Sequence, residues 1–197
     1  FVFFTKSTKR NKELKDKLDQ IENALQLRNL SKTRWAARAE AVKAVWTSFD
    51  AIVEVLQILE SSGDRETKTK ASGLHNAMVN IDFICFLMLL KNIMYKTKVL
   101  SDYLQGESIN IAGALIAINS TCHVLRRIRA DEKEIKNEIE AAVTVAVNYG
   151  TEPLADFARL HRMRRPPRRF DDHPKTASPL PNNITSYYRY EFYSFQH

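Results

Sequence analysis

Two cysteines and five histidines are the residues best suited to bind a metal ion or to act as nucleophiles. Cys122 and His123 are adjacent, so on a helix they point in different directions. A buried thiol beside a half-exposed imidazole is favoured there over a metal site. The other histidines never fall at ligand spacing with a cysteine or a second histidine, and no phosphate-loop, dinucleotide, serine-hydrolase or zinc-protease motif is present.

Three aspartates are candidate acids: Asp50, Asp82 and Asp102. Asp82 lies in the most apolar stretch of the chain, Ile81 to Leu90, and a buried carboxylate needs a partner. Lys43, Arg38 or a residue of the fourth predicted helix could supply that partner. No second carboxylate lies at a matching spacing, so structural pairing is favoured over catalysis. We therefore expect no catalytic residue and no metal ligand in this chain.

The charge distribution favours a polyanionic partner. The 197 residues carry a net charge of +7, divided as +6 over residues 1–46, −3 over residues 47–160 and +4 over residues 161–197. Basic ends attract nucleic acid, the commonest polyanion in a cell. The alternative is that lysines on exposed helix faces only keep the protein soluble. Charge alone favours neither.

The composition predicts a mainly α-helical fold, an elongated bundle of long helices with an extended C-terminal tail. Only five glycines and six prolines occur, and four of the prolines lie within residues 166–179. The longest apolar run, Ile81–Leu90, is about half a membrane span, and no signal peptide is recognisable at the first residues. We expect neither a membrane nor a small-molecule substrate as a partner.

Apolar spacing predicts four long helices. They cover Lys9–Leu27, with its stripe of Leu14, Leu18, Ile21 and Leu25; Arg34–Glu60; Arg65–Leu104, with a bend at Gly73; and Ile109–Tyr149, with its stripe of Ile128, Ile135, Ile139, Ala142 and Val143. Gly63 is expected as a left-handed cap, Asp64 as the next N-cap and Gly150 as a stop. The run Ile81–Leu90 is apolar nearly all round, which predicts that other helices surround it.

The C-terminal part changes in character. A short helix is predicted over Leu154–Arg164, followed by an extended linker over Asp171–Asn183 and a Tyr/Phe-rich stretch, Ser186–Phe195, that could be a strand or the start of a helix. Six arginines fall between Arg159 and Arg169 with no acid among them, and Pro166-Pro167 prevents a helix there. Nucleic-acid binding or nuclear import is favoured for this cluster over a solvated linker.

One short motif resembles a known family. The stretch Leu30–Ala44 reads L-S-K-T-R-W-A-A-R-A-E-A-V-K-A and is similar to the "TRW" region of hAT-superfamily transposases. It looks closest to the zinc-finger MYM-type-like branch and to the domesticated proteins named as repressors of the protein-kinase inhibitor. The segments Phe3–Arg10, Asp82–Gln105, Arg162–Arg169 and Tyr188–Tyr193 also resemble stretches of that family, so the resemblance covers essentially the whole chain.

This resemblance implies an organisation and a parent activity. It divides the chain into the end of a core segment with a first helix (1–30), an all-helical insertion domain (31–150), an Arg/Pro-rich linker (151–185) and the start of a returning core segment (186–197). The parent family has an RNase H-like core in which three acids hold a divalent metal such as Mg²⁺ for strand transfer. None of those acids can be matched here, so no cofactor is expected for this chain.

The resemblance also implies where DNA would bind. Trp35 matches a tryptophan that stacks on a base flipped out at the transposon end, and an indole beside cations suits that role. The alternative is that Trp35 only packs its helix against the bundle. The expected DNA-binding residues are Lys9, Arg10, Lys12, Arg34, Trp35, Arg38, Arg162, Arg164, Arg165, Arg168 and Arg169.

Two functions therefore remain open. The first is a nuclear DNA-binding segment of a transposase or of its domesticated descendant, which helps to position transposon ends. The second is a transposase-derived helical scaffold that binds only proteins, in which Ile81–Leu90 pairs with a partner or a second copy. A homo-oligomer through the parent protein is compatible with both.

Overall fold

The computed structural model describes residues 2–20, 35–160 and 183–193. Over these ranges the chain forms α-helices and no strand, so the predicted mainly α fold is confirmed. The helices are α1 (Val2–Thr5), α2 (Thr8–Leu18), α3 (Trp35–Thr47), α4 (Phe49–Ser62), α5 (Arg65–Met78), α6 (Ile81–Leu104), α7 (Ile111–Ala130), α8 (Glu132–Asn148), α9 (Pro153–Leu160) and α10 (Ile184–Tyr193).

The predicted helix Arg34–Glu60 is wrong as a single element, because α3 and α4 meet at Ser48. This residue takes φ −102° and ψ 15°, outside regular helical geometry. α3 packs mainly on α6 and α4 mainly on α5. Neither Gly nor Pro occurs at this position, so local helical propensity alone would continue the helix. The packing of α3 and α4 on two different helices outweighs that propensity.

The predicted bend at Gly73 is also wrong, since Gly73 lies inside α5. The chain bends instead at Asn80, where the axes of α5 and α6 differ by 63°. The Asn80 side-chain oxygen accepts a hydrogen bond from the Asp82 amide at 2.8 Å and so begins α6.

The turn between α4 and α5 confirms one expectation and overturns another. Asp64 is the N-cap of α5 and accepts from the Thr67 amide at 2.8 Å. Gly63 is not left-handed, because its φ of −73° and ψ of 168° are extended. A Cβ at this position would lie 2.6 Å from the Leu59 carbonyl oxygen, so close approach of the backbone is what requires glycine.

The predicted helix Ile109–Tyr149 divides into α7 and α8 at Asp131. The carboxylate of Asp131 accepts hydrogen bonds from the Lys133 and Glu134 amides at 3.1 and 3.0 Å, as an N-cap does. Gly150 is confirmed as the stop of α8: its φ is +74°, and the next amide, that of Thr151, returns to the Ala146 carbonyl.

Two apolar clusters hold the helices together. One contains Ile84 and Ala142, both fully buried, and joins α4, α6, α8, α9 and α10. The other contains Val55 and Leu56 and joins α2, α4 and α5. Leu14 and Leu18 are buried in the second cluster as predicted, whereas Ile21 and Leu25 lie outside the described residues.

The expectation that other helices surround Ile81–Leu90 on all sides is wrong. Ile81, Ile84, Cys85, Leu87 and Leu89 are buried, but Phe83, Phe86 and Leu90 remain 36%, 43% and 39% exposed. This part of α6 therefore has one face in the core and one face that stays partly exposed, with Phe83 stacked on Phe49 of α4.

The C-terminal elements follow the prediction as far as the structure describes them. α9 confirms the start of the short helix near Leu154, while residues 161–164 fall outside the described ranges. α10 confirms the helical alternative for Ser186–Phe195 and excludes a strand over Ile184–Tyr193. It packs against α8. Of the linker Asp171–Asn183, only Asn183 is described.

Candidate interaction surfaces

Most of the predicted DNA-binding residues lie outside the described part of the chain. Arg34 lies outside the described residues, and so do Arg162, Arg164, Arg165, Arg168 and Arg169. Trp35 is the first residue of α3, but its side chain is likewise outside what the structure describes. Stacking and packing therefore remain equally open for Trp35.

The three predicted cations of α2 differ in their surroundings. Lys9 and Lys12 are exposed. Arg10 is half-buried, with its guanidinium 4.4 Å from the centre of the Phe3 ring and its Nε buried without a hydrogen-bond partner among the described residues. Arg10 therefore helps to hold α1 on α2, and only the two lysines face solvent freely.

Arg38 lies on α3 and is exposed. Glu40, two residues later, is 3.7 Å from Lys98, which places this end of α3 beside the C-terminal half of α6. The helix that carries the two lysines, α2, packs instead on α1 and α4. The predicted cations of α2 and α3 therefore lie on helices with different packing partners.

Asp82 does not pair with Lys43, Arg38 or the fourth predicted helix, and that expectation is wrong. Its carboxylate accepts a hydrogen bond from the hydroxyl of Tyr188 on α10. Tyr188 is fully buried, and burial followed by this hydrogen bond raises the pKa of its phenol. The expected role is nevertheless the observed one, because the carboxylate joins two helices.

Cys85 lies one turn after Asp82 on α6. Burial, with a smaller contribution from the charge of Asp82, raises the pKa of the Cys85 thiol to about 12. The thiolate is the nucleophilic form of cysteine, so this residue stays protonated and unreactive at neutral pH.

The described carboxylates do not gather into a donor set for a divalent metal. No group of three or more His, Cys, Asp or Glu side chains converges within residues 2–20, 35–160 and 183–193. Asp50 accepts from the Tyr149 hydroxyl, and Asp102 pairs with Lys98 on its own helix. These residues do not fit the metal that the transposase resemblance implies for the parent enzyme.

Cys122 and His123 on α7 are more accessible than predicted. Cys122 is half-exposed rather than buried, and His123 is exposed. The accessible thiol of Cys122 can report whether a partner covers this face of α7.

The exposed apolar residues concentrate where α6 ends and α7 begins. Six large side chains there are at least half exposed; we call them the hairpin surface: Tyr95, Val99, Tyr103, Ile111, Leu115 and Ile116. Their exposed fractions reach 82% at Ile111 and 67% at Ile116. Large apolar side chains that stay this exposed on a folded chain are candidates for an interaction site.

A regular stripe runs along α7 within this region. Ile111, Leu115, Ile118 and Cys122 follow each other at steps of four, three and four residues, the spacing of a helix–helix seam. Ile118 is 37% exposed, so the stripe is open along its length. Ile116 lies on the opposite side of the helix.

The sequence analysis did not single out these residues. Their signal is the segment from Ser108 to Leu125, which contains no Asp, Glu, Lys or Arg. An uncharged helix of that length is normally in the core, and only the structure places it at the surface.

By length and hydropathy, none of the described helices could span a membrane alone, although the bent pair of α5 and α6 passes such a test together.

Comparison with known proteins adds no relative. No family model, curated protein or solved structure matches the chain.

Proposed function

We propose that the chain is a helical interaction module that binds a second copy of itself through the α7 stripe. The observation that carries the proposal is the exposure of Ile111, Leu115 and Ile118 on this stripe, at 82%, 56% and 37%. Leaving such side chains in water costs about 1.5–3 kcal/mol each relative to burial, and a partner removes that cost.

The chemistry of the surface favours a protein partner over a small molecule. The stripe consists of apolar side chains at regular helical spacing, whereas ligand sites are concave with a few convergent polar groups. Its uncharged character also suits a second identical helix, because no charge of one copy meets a like charge of the other along the segment Ser108–Leu125. This interpretation replaces Ile81–Leu90 with α7 as the pairing helix.

Sedimentation equilibrium of the full chain tests the proposal. We expect a reversible dimer, and we expect Leu115→Asp to convert it to a monomer, since a charge in an apolar seam is strongly unfavourable. Ser120→Asp is the matched control, because it places the same charge at an exposed position on the opposite side of α7. A wild-type monomer at all accessible concentrations, or equal effects of the two variants, contradicts the proposal.

A second candidate function is DNA binding, with a nuclear location, which the resemblance to hAT transposases implies. The observation that favours it is the outward position of Lys9 and Lys12 on α2. Counterion release makes such binding salt-dependent, with each phosphate contact contributing about 0.9 to the slope of log K against log salt.

Fluorescence anisotropy of a labelled duplex and of a hairpin end, measured over a series of salt concentrations, tests this second candidate. The pair Lys9→Gln and Lys12→Gln should weaken binding and lower the slope by about two. Lys133→Gln with Lys136→Gln on α8 removes the same charge from another exposed face and should leave both unchanged. Trp35→Ala tests base stacking separately, and equal affinity for the hairpin end would remove that role.

A further inference from the structure

The proposed dimer has a definite geometry, and the inference here rests on that proposed function. We infer that two copies of α7 pack antiparallel about a two-fold axis between Ile116 and Ala117. In this register Ile111 of one copy opposes Cys122 of the other, and Leu115 opposes Ile118. Each member of the stripe then meets an apolar partner, as a self-complementary two-fold interface requires.

Charge at the two ends of the stripe supports this direction. Arg126 follows Cys122 by one helical turn, and Glu107 precedes Ile111 by four residues, in the turn before α7. Both are exposed, and neither forms an ion pair within the described part of the chain. Antiparallel pairing brings the end of each α7 that carries Arg126 to the end of the other α7 that Glu107 precedes.

Parallel pairing would oppose this charge pattern. It would set Arg126, which is exposed at the C-terminal end of α7, against the same residue of the second copy. Like charges across an interface are unfavourable, so the basic end of α7 selects the antiparallel arrangement.

The contact extends beyond α7. A specific interface buries roughly 800 Å² on each partner, more than one helical stripe supplies. Leu90 and Leu104 share one stripe of α6 and are 39% and 36% exposed. They supply the additional apolar area, so the two hairpins, rather than two isolated helices, form the interface.

Disulfide trapping tests the register. Ile111→Cys should form an intermolecular disulfide with the native Cys122 under mild oxidation, since opposing seam positions satisfy the distance a disulfide needs. Within one chain the two positions are about 16 Å apart along α7, so an intramolecular bond is excluded. Adding Cys122→Ser should abolish the cross-link, and Ile116→Cys, on the opposite and well-exposed side, should not form it.

Charge exchange tests the polar contact independently. Glu107→Arg and Arg126→Glu should each weaken dimerisation about tenfold at low salt, because an attraction becomes a repulsion at two symmetric places. The double variant should restore wild-type affinity, which a merely structural role of either residue would not do.

The outcomes separate the register from the proposed function. If the protein dimerises but Ile111→Cys fails to cross-link to Cys122, the register is wrong and self-association still holds. The same conclusion follows if the charge exchange leaves the dimer affinity unchanged. Rapid Cys122–Cys122 cross-linking in the wild type would indicate the parallel arrangement instead. A monomer that binds phosphatidylcholine vesicles or a different protein through the hairpin surface overturns both.

Discussion

The hydroxyl of Tyr188 donates a hydrogen bond to the carboxylate of Asp82, and this contact joins the last described helix to the first turn of α6. The two residues are 106 positions apart in the chain. Around them lie Phe157, 5.9 Å from the Tyr188 ring, and Cys85. The contact fixes α9 and α10 to the core that α6 and α8 share.

Tyr188→Phe should lower the free energy of unfolding by about 2 kcal/mol, the usual value of a hydrogen bond to a charged group. The ring stays in place, so the loss reports the hydroxyl and the carboxylate that it leaves without a partner. Urea denaturation followed by circular dichroism measures it. Tyr95→Phe is the control, because Tyr95 is 65% exposed and should change stability little.

Asp82→Leu should not lower the free energy of unfolding by more than Tyr188→Phe does. A larger loss would contradict a role of Asp82 that is limited to this one hydrogen bond. Removing both polar groups should be less harmful than removing one, since an unpaired buried group is the main penalty. The double variant Asp82→Leu and Tyr188→Phe should therefore be more stable than the sum of the single losses indicates.

The long-range partner of Asp82 marks the limit of what the sequence could predict. An aspartate in an apolar run indicates that a partner exists, because an unpaired buried charge is too costly. The helical spacing predicts which face of each helix is buried, but it does not predict which distant helix packs against that face. The predicted partners were Lys43, Arg38 or a residue of the fourth predicted helix, whereas the actual partner is the phenol of Tyr188 on the last described helix.

Helix ends show the same division between local and tertiary information. Asp64 and Gly150 have local chemistry that caps or ends a helix, and both predictions are confirmed. The break at Ser48 arises because α3 and α4 pack on different helices. No residue near this position indicates the break in the sequence. For the hairpin surface, the missing charge in α7 was visible in the sequence, but its exposure depends on the three-dimensional arrangement.

Ser48→Ala should leave the free energy of unfolding unchanged or raise it slightly. Ser48 is fully buried, and its hydroxyl has no hydrogen-bond partner among the described residues. Replacing an unsatisfied polar atom by an apolar group of similar size is close to neutral or stabilising. Thermal and urea unfolding measure it, and Ser48→Leu should destabilise through overpacking of the same site. A loss above about 1 kcal/mol for Ser48→Ala would reveal a hydrogen bond that the described contacts lack.

The two cysteines should differ strongly towards a thiol reagent. Cys122 is half-exposed, whereas Cys85 is buried and its pKa is raised to about 12. We expect one thiol of the native chain to react quickly and the second only after unfolding. Cys122→Ser should remove the fast phase, and Cys85→Ser should remove the slow one. Protection of Cys122 that increases with protein concentration would agree with the proposed dimer, while a fast reaction at Cys85 would contradict its burial.

The N-cap of α5 should make part of the stability depend on acid pH. Hydrogen bonds from the Thr67 amide and hydroxyl lower the pKa of Asp64 below its ordinary value of 3.8. A depressed folded-state pKa stabilises the fold above the unfolded pKa, and that contribution disappears as the pH falls through the folded value. The melting temperatures of wild type and Asp64→Ala should therefore differ most near neutral pH and converge at low pH. Asp64→Asn keeps an uncharged cap, so its difference from Asp64→Ala should not change with pH; a parallel pH dependence of all three proteins would show that this carboxylate is not responsible.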